Sequence, residues 1–405
     1  MDDSSEASLR EKNTSEGDVA AAAAAAKEHN ILEACRRRNL GDLRILAESP
    51  GGFLTDKIRQ QAWPVLLGLP SGYTDESKTL TPQATEAASW RKLPRHRDED
   101  QVQLDVNRAF IYYPNHKNEA ELASQKDELS DLIVEVLRRH PYLCYFQGYH
   151  DICQVLLLVL PAPVRAPAVA RLSALRIRDF MLPTLAPAVH QLRLIPDILL
   201  AADPTLWRHL ASTEPFFALS GTLTMYAHDI TTLGEITRLF DVLLAREPVF
   251  SVYMFAAIVR SRRDELFDTP ADEPEMLHSI LSKLPRPLDL EALITSTHVL
   301  YDTHPPEKFA AWRTISRASV LCTARDADAC AAQSMADAER FFDRQVTELR
   351  WIERRDQARE LLRRYRRPAR TLGFAILIGV VAVWLRRSPG LSSCVTGLLA
   401  SWMRL

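Results

Sequence analysis

Apolar residues recur along most of the chain at the three-and-four spacing of amphipathic helices, and the two-residue alternation of strands is rare. In the clearest example, Leu129, Ile133 and Leu137 share one helix face, and charged residues occupy the other. We expect this helix to end at His140, because the residue before a proline is disfavoured in the helical conformation. The pattern predicts an all-α fold.

Three other segments are apolar on nearly every side, as is typical of helices buried in a protein core. They are residues 152–160, 236–245 and 249–259, and prolines end or separate them. The short segment Tyr145–Gly148 is then expected between two helices, in a loop or at a helix start.

The first 50 residues are expected to form a disordered N-terminal region. Their polar beginning cannot bury enough apolar surface to offset the entropy lost on ordering, although the alanine run Ala20–Ala26 favours a frayed helix. The acidic start lacks the basic residues and apolar run of a signal peptide. We therefore expect the body of the protein to face the cytosol.

A highly charged helix is predicted from residue 336 to residue 367. Its apolar positions form one stripe, which consists of Phe342, Val346, Leu349 and Ile352. A single stripe of this kind usually packs against its own domain and less often against a partner.

Arginine clusters flank the uncharged apolar run Thr371–Leu385. A membrane-spanning helix needs roughly 20 apolar residues, with a lower limit near 17, so a buried core helix is the alternative. We favour a membrane segment, because arginines can snorkel to the lipid surface and the bilayer of the endoplasmic reticulum is thin. A second apolar stretch, residues 391–403, leaves both a single tail anchor and a helical hairpin open, with the N-terminal side cytosolic.

Charge and cysteine usage argue against several classes of function. The 50 Lys and Arg residues nearly balance the 52 Asp and Glu residues, so a nucleic-acid partner is not expected. The six cysteines are scattered without a C-x-x-C pair, which argues against a zinc site and against a disulfide framework. This usage is typical of a reducing compartment.

Two short segments, Val102–Arg108 and Tyr145–Asp151, carry polar groups that phosphoryl-transfer chemistry can use. Arg108 is a permanent cation, and the amide of Gln147 can donate and accept hydrogen bonds at once. Attack of water on a nucleotide γ-phosphate needs stabilisation of charge on the equatorial oxygens and a group that orients the water. An arginine can provide the first and a glutamine the second.

Four segments, in this order along the chain, resemble motifs of the TBC-domain Rab GTPase-activating proteins. Ile58–Gly68 is similar to R-x-x-x-W-x-x-L-L-G, Val102–Arg108 to I-x-x-D-x-x-R, Tyr145–Gly148 to Y-x-Q-G, and Arg238–Asp241 to R-x-W-D. Val102 replaces the first Ile, and Phe240 replaces the Trp of the last motif. Their order and their spread from about residue 55 to residue 300 make the match specific.

The resemblance implies that Arg108 and Gln147 are inserted in trans beside the nucleotide of a GTP-bound Rab. Gln147 then replaces the Rab's own water-orienting glutamine, and the activator needs no cofactor of its own, because the Rab carries GTP and Mg²⁺. Asp105 is expected to hold the Arg108 guanidinium or to tether the local backbone.

Supporting roles are expected for the neighbours of these two residues. Tyr145, Gly148 and Asp151 are expected to shape the loop, with Gly148 allowing close backbone approach. Trp63 is assigned to core packing. Ala109 and the pair Tyr149-His150 depart from the family's usual residues, Thr and Met-Asn, so the shape of the Rab-facing groove is the least transferable feature.

The resemblance also implies a domain organisation. A two-lobed helical catalytic domain is expected over residues 51–310, a charged helical linker over 311–370 and a membrane anchor over 371–405. This arrangement resembles the endoplasmic-reticulum-anchored member of the family, which acts on the Rab of transport from the endoplasmic reticulum to the Golgi. The expected location is the endoplasmic reticulum membrane with a cytosolic catalytic domain, and the Golgi membrane is the alternative.

Two other functions stay open. The dyads His150-Asp151 and His228-Asp229 are similar to the ligands of metal-dependent phosphohydrolases, so a stoichiometric metal in purified protein would favour that class. The second is a non-catalytic Rab-binding or membrane-shaping protein, which a turnover assay against a panel of Rabs would distinguish from an activator.

Overall fold

The computed structural model describes residues 21–70, 89–114 and 118–387, and every regular element in these ranges is helical. The prediction of an all-α fold is therefore confirmed. The α-helices are residues 21–37, Leu40–Glu48, Asp56–Leu66, Glu99–Val106, Glu119–Arg139, Tyr149–Val159, Ala162–Leu175, Ala186–Leu192, Leu194–Ala202, Pro204–His209, Leu219–Leu223, Leu233–Ala245, Phe250–Ser261, Arg263–Phe267, Pro274–Leu281, Leu290–Thr303, Val320–Thr323, Ala327–Ala332 and Met335–Arg387. Short 3₁₀ helices occupy Ser89–Lys92, Arg178–Phe180, Pro215–Ala218, Pro306–Lys308 and Ala311–Thr314.

The helix Glu119–Arg139 forms as its apolar spacing predicts. The side chain of Asn118 caps its start by accepting a hydrogen bond from the Glu121 N–H at 2.8 Å. It ends at the residue before His140, and its apolar stripe is buried. The three segments predicted as buried helices also form the expected helices, Tyr149–Val159, Leu233–Ala245 and Phe250–Ser261.

The expectation of disorder over residues 1–50 does not hold for residues 21–48, which form two helices. Ile31 and Leu43 are completely buried, and Asn39 caps the second helix through the Asp42 N–H. The polar composition at the start of the chain led us to expect disorder there, although these later positions are apolar. Residues 1–20 lie outside the described part of the chain.

The carboxylate of Asp241 is fully buried and joins the helix Leu233–Ala245 to the N-terminal segments. It accepts hydrogen bonds from Arg59 Nε at 3.0 Å, Trp63 Nε1 at 2.8 Å and Phe53 N at 3.0 Å. Arg59 and Trp63 are four residues apart on one helix, so both point at the same carboxylate. Burial alone would lower the pKa of the Arg59 guanidinium, but the facing Asp241 outweighs it, and this pKa is raised.

Arg238 lies one turn before Asp241 and binds two further helices. Its Nη1 donates to the carbonyl of Ala47 at 2.8 Å, and its Nε and Nη2 bond the Glu291 carboxylate at 2.7 and 2.9 Å. This bidentate geometry is available to arginine and not to lysine. Phe240, between the two polar residues, packs its ring 5.9 Å from that of Trp63, which confirms Trp63 as a core residue.

A second buried polar cluster ties later parts of the chain to the same unit. Asp179 accepts from Gln345 Nε2 at 2.8 Å and from the Val320 N–H at 3.1 Å. The adjacent Arg178 donates to Gln345 Oε1 at 3.0 Å and to the Ala318 carbonyl at 2.6 Å. The compact unit therefore extends to Gln345, which includes the first part of the segment predicted as a charged linker.

The helix Met335–Arg387 continues beyond this division into a second unit that begins at Val346. Trp351 and Leu361 are exposed there, and seven apolar side chains farther along are exposed as well: Ile376, Leu377, Ile378, Val380, Val381, Val383 and Trp384. Among the described residues, no helix has an apolar stretch long enough to span a membrane. The apolar stretch 391–403 lies outside the described residues.

Replacement of Asp241 by Asn should destabilise the protein by about 3 to 5 kcal/mol, because it leaves the Arg59 guanidinium buried without its counter-charge. Urea unfolding followed by circular dichroism measures this change. Asp56→Asn is the matched control: Asp56 also pairs with Arg59, at 2.8 Å, but is exposed, so its loss should cost less than about 1 kcal/mol. Equal losses in the free energy of unfolding for the two variants would show that burial does not determine the contribution of the ion pair.

Candidate functional site

Arg108 lies in the turn that directly follows the helix Glu99–Val106. Val102 and Val106 are completely buried and fix this helix to the core, whereas Arg108 is exposed. The Arg108 N–H donates to the Asp105 carbonyl at 3.0 Å, which closes the turn. Within the described residues the guanidinium has no ion-pair partner, so it is available to an incoming anionic group.

Gln147 lies between the helices Glu119–Arg139 and Tyr149–Val159, where the sequence predicts a loop or helix start. Its side chain is exposed, while the preceding Phe146 is buried. Gly148 has φ +97°, and a Cβ at this position would lie 2.6 Å from Cγ2 of Thr224. A glycine is therefore required both by the backbone conformation and by the lack of space.

A hydrogen bond joins the two segments: the Tyr145 hydroxyl donates to Asp105 Oδ2 at 2.9 Å. Gln101, one turn earlier on the helix, donates to Asp105 Oδ1 at 3.1 Å. The buried Asp105 carboxylate makes these two hydrogen bonds and no ion pair with the exposed Arg108 guanidinium, so of its two expected roles only the tethering of the local segment agrees with the contacts. The carboxylate instead fixes the position of Arg108 relative to Gln147, because Tyr145 precedes Gln147 by two residues.

Gln154 makes a second link that the sequence analysis missed. Its Oε1 accepts from the Phe110 N–H at 2.9 Å, and its Nε2 donates to the Tyr113 carbonyl at 3.3 Å. Phe110 has φ +63°, a strained conformation for this residue that the hydrogen bond helps to hold. The signal in the sequence was an amide in an otherwise apolar helix, where a buried polar group needs a partner.

The two His-Asp dyads lie against each other. Asp151 Oδ2 is 3.0 Å from His228 Nδ1, and Asp151 Oδ1 is 3.3 Å from His150 Nε2. The pKa of His228 is raised, first because of its hydrogen bond to Asp151, while burial opposes the shift. In Asp229 burial raises the carboxyl pKa. Across the described residues, no three His, Cys, Asp or Glu side chains are arranged to hold a metal ion.

Tyr145 and His150 connect this pair to Asp105, and so to the segment that carries Arg108. The Tyr145 hydroxyl lies 3.5 Å from His150 Nδ1, and burial, followed by the nearby Asp105, raises the pKa of that hydroxyl. The phenol is thus a neutral donor that supports Asp105 across the physiological range. The structure brings Asp105, Tyr145 and Asp151 together through these contacts, with Arg108 and Gln147 at the exposed ends of the two segments.

Comparison with known proteins finds a family model and individual relatives that agree with each other. Residues 56–267 match the family model of the Rab-GTPase-TBC domain. GTPase-activating protein gyp10 of Schizosaccharomyces pombe is 36% identical over 250 residues, which are 61% of this chain and 64% of that protein. TBC1 domain family member 20 of Homo sapiens is 33% identical over 300 residues, which are 73% of this chain and 72% of that protein.

A solved structure shares the fold. The crystal structure of the Ypt/Rab-GAP domain of Gyp1p is similar with a TM-score of 0.52 and 16% sequence identity, covering 66% of this chain and 94% of that one. The helical architecture and the family match agree. The chain therefore belongs to the Rab-GTPase-TBC domain family.

Proposed function

We propose that this protein is a GTPase-activating protein for a Rab GTPase, to which it supplies Arg108 and Gln147 in trans. The observation that carries the proposal is the 2.9 Å hydrogen bond between Tyr145 and Asp105. It joins the two segments just before each exposed residue, so that both side chains can approach one nucleotide together. The family match and the name of the relative gyp10 support the same function.

In this proposal the two side chains have different tasks. The Arg108 guanidinium stabilises the charge that develops on the γ-phosphate oxygens, and the Gln147 amide orients the attacking water. Neither group transfers a proton of its own. Catalysis therefore depends on their placement, which the buried contacts of Asp105, Tyr145 and Gln154 define before the Rab arrives.

The proposed partner is the Rab of transport from the endoplasmic reticulum to the Golgi, and the proposed location is the endoplasmic reticulum membrane. The choice of Rab follows the resemblance in domain organisation, and the membrane location is supported by the exposed apolar side chains between residues 376 and 384. Seven exposed apolar side chains along nine residues would be covered by a lipid phase. Residues 371–405 are therefore proposed as the anchor, as a single span or a hairpin.

The alternative of a metal-dependent phosphohydrolase rests on His150, Asp151, His228 and Asp229. The Asp151 carboxylate contacts both histidines, so Asp151, His150 and His228 already have partners among themselves. Elemental analysis of the purified chain tests this alternative, because a stoichiometric transition metal would favour it over the GTPase activator.

Loss of Arg108 should reduce Rab GTP hydrolysis by about 10³- to 10⁵-fold, since an arginine finger acts mainly in the transition state. Arg108→Lys should be nearly as defective as Arg108→Ala, because the ammonium lacks the planar fork that bridges two oxygens. Single-turnover hydrolysis against a Rab panel measures both. Arg95→Ala is a matched control, since this exposed arginine pairs with Asp100 instead.

The role of Gln147 is separable in the same assay. A Rab whose switch glutamine is replaced by Leu should still respond to the wild-type protein and lose that response with Gln147→Ala. Complete resistance of that Rab, with normal response of the unaltered Rab, would show that Gln147 does not orient the water. Near-native rates for either Arg108 variant, with folding intact by circular dichroism, would contradict the arginine finger.

Truncation before Thr371 should release the protein from membranes and leave its activity in solution within a few fold, because the compact unit ends at Gln345. On liposomes that carry a lipid-anchored Rab, the truncated chain should be much slower, since confinement to one surface raises the encounter frequency. Cell fractionation and paired hydrolysis assays measure this. Retention of the truncated chain in the carbonate-washed membrane pellet would exclude residues 371–405 as the anchor, and loss of activity in solution would make them part of the folded core.

A further inference from the structure

One loop, residues 224–229, contacts the segments of both proposed fingers, and we call it the bracing loop. It connects the helix Leu219–Leu223 to the helix Leu233–Ala245. Met225 and Tyr226 have φ of +50° and +65°, a strained conformation for residues with side chains. The Tyr226 hydroxyl donates to the Ser251 carbonyl at 2.7 Å, which anchors the loop to the buried helix Phe250–Ser261. The loop is held in one shape by these contacts.

On the side of Gln147, the bracing loop makes two contacts. Cγ2 of the buried Thr224 fills the space beside Gly148 that a Cβ would occupy. Four residues later, His228 Nδ1 lies 3.0 Å from Asp151 Oδ2, in the first turn of the helix that follows Gly148. These contacts flank the turn that presents Gln147, one at its glycine and the other at the helix start.

On the side of Arg108, the bracing loop makes its contact through a backbone carbonyl. The Tyr113 hydroxyl donates to the Ala227 carbonyl at 3.4 Å. Tyr113 is also held by Gln154, whose amide donates to its carbonyl at 3.3 Å. Arg108 is five residues before Tyr113 in the chain. Two adjacent residues of the bracing loop, Ala227 and His228, therefore contact the chain near Arg108 and the chain near Gln147, respectively.

Asp151 transmits the contact with His228 toward the centre of the site. Its other oxygen is 3.3 Å from His150 Nε2, and His150 Nδ1 faces the Tyr145 hydroxyl at 3.5 Å. Tyr145 in turn donates to Asp105. A continuous row of polar side chains therefore runs from an exposed histidine to the buried carboxylate that joins the two finger segments.

We propose that His228, through its hydrogen bond to Asp151, is a positioning residue that holds the Gln147 turn in its catalytic orientation. This inference rests on the proposed GTPase-activating function and adds a residue to it. In this proposal His228 acts through Asp151 and the helix start, and it contacts neither the nucleotide nor the attacking water. Its side chain is 62% exposed, so its contribution to folding is small and its effect should appear in turnover.

Titratable and charged side chains from several elements lie around His228. Asp151 and His150 face it from the helix Tyr149–Val159, and the groove beside it is lined by Tyr112, Asp229, Arg262, Glu265, Lys283 and Arg286. The hydrogen bond to Asp151 raises the pKa of His228.

The experiment compares full-length wild type, His228→Ala and His228→Asn in Rab GTP hydrolysis. We expect His228→Ala to lower kcat by about fivefold, the range of an exposed pair, with little change in KM. In His228→Asn the amide nitrogen replaces Nδ1 as a donor but does not titrate. It should therefore retain more activity than His228→Ala. His29→Ala, at an exposed histidine of the N-terminal helix, is the control.

A double-mutant cycle separates positioning from general stability. If His228 acts through Gln147, the fivefold loss should disappear in a Gln147→Ala background, where a correctly placed amide no longer exists. An equal loss in both backgrounds, or a shift in thermal stability that accounts for it, overturns the inference. Unchanged kcat in His228→Ala overturns it as well. A wild-type protein that stimulates no Rab instead overturns the proposed function, and this inference with it.

Discussion

Asp241 has no contact with water, and N–H groups of Arg59, Trp63 and Phe53 all converge on its carboxylate. A charge in that position is costly unless its partners are fixed, because the low-dielectric interior offers no replacement for lost hydration. The N-terminal segments must therefore reach the helix Leu233–Ala245 in a single register. Arg238, one turn earlier, imposes the same requirement on the helices that carry Ala47 and Glu291.

This constraint extends to the candidate site through the chain itself. The helix that carries Asp241 begins soon after the bracing loop, and the Thr232 side chain caps the start of that helix by accepting from the Glu235 N–H. The ion pair thus fixes the helix that follows the loop, and Tyr226 fixes the loop itself against the helix Phe250–Ser261. These buried polar contacts give the loop a rigid base beside the turn that presents Gln147.

Much of this architecture could be predicted from periodicity. The helix Glu119–Arg139 and the buried helices around it follow from apolar spacing and prolines, which are local properties of the sequence. The resemblance placed Arg108 and Gln147 on separate segments, and the structure places both at exposed turns after buried residues. Apart from the frayed helix expected at the alanine run, the helices within residues 21–48 were missed, since their formation depends on burial of residues such as Ile31 and Leu43.

Contacts between distant residues could not be predicted from one sequence. Asp105 and Tyr145 are 40 residues apart, Gln154 and Phe110 are 44 apart, and Asp151 and His228 are 77 apart. No local pattern determines which carboxylate faces which hydroxyl or imidazole, because that depends on how helices pack. The same limitation explains why the sequence left two roles open for Asp105 and offered the two His-Asp dyads as metal ligands in an alternative function.

The actual partner of Asp105 has a consequence for catalysis. If this carboxylate held the Arg108 guanidinium, an incoming phosphate would have to break an ion pair, and the lost interaction would raise the barrier. Because the Tyr145 hydroxyl and Gln101 amide bond Asp105 instead, the carboxylate stabilises the turn without neutralising the arginine. Arg108 thus keeps its charge exposed to solvent, while the buried Asp105 fixes the turn from which Arg108 extends. Under the proposed function, an arginine placed in this way would lose only water when it enters a nucleotide site, the condition under which its charge stabilises the transition state most.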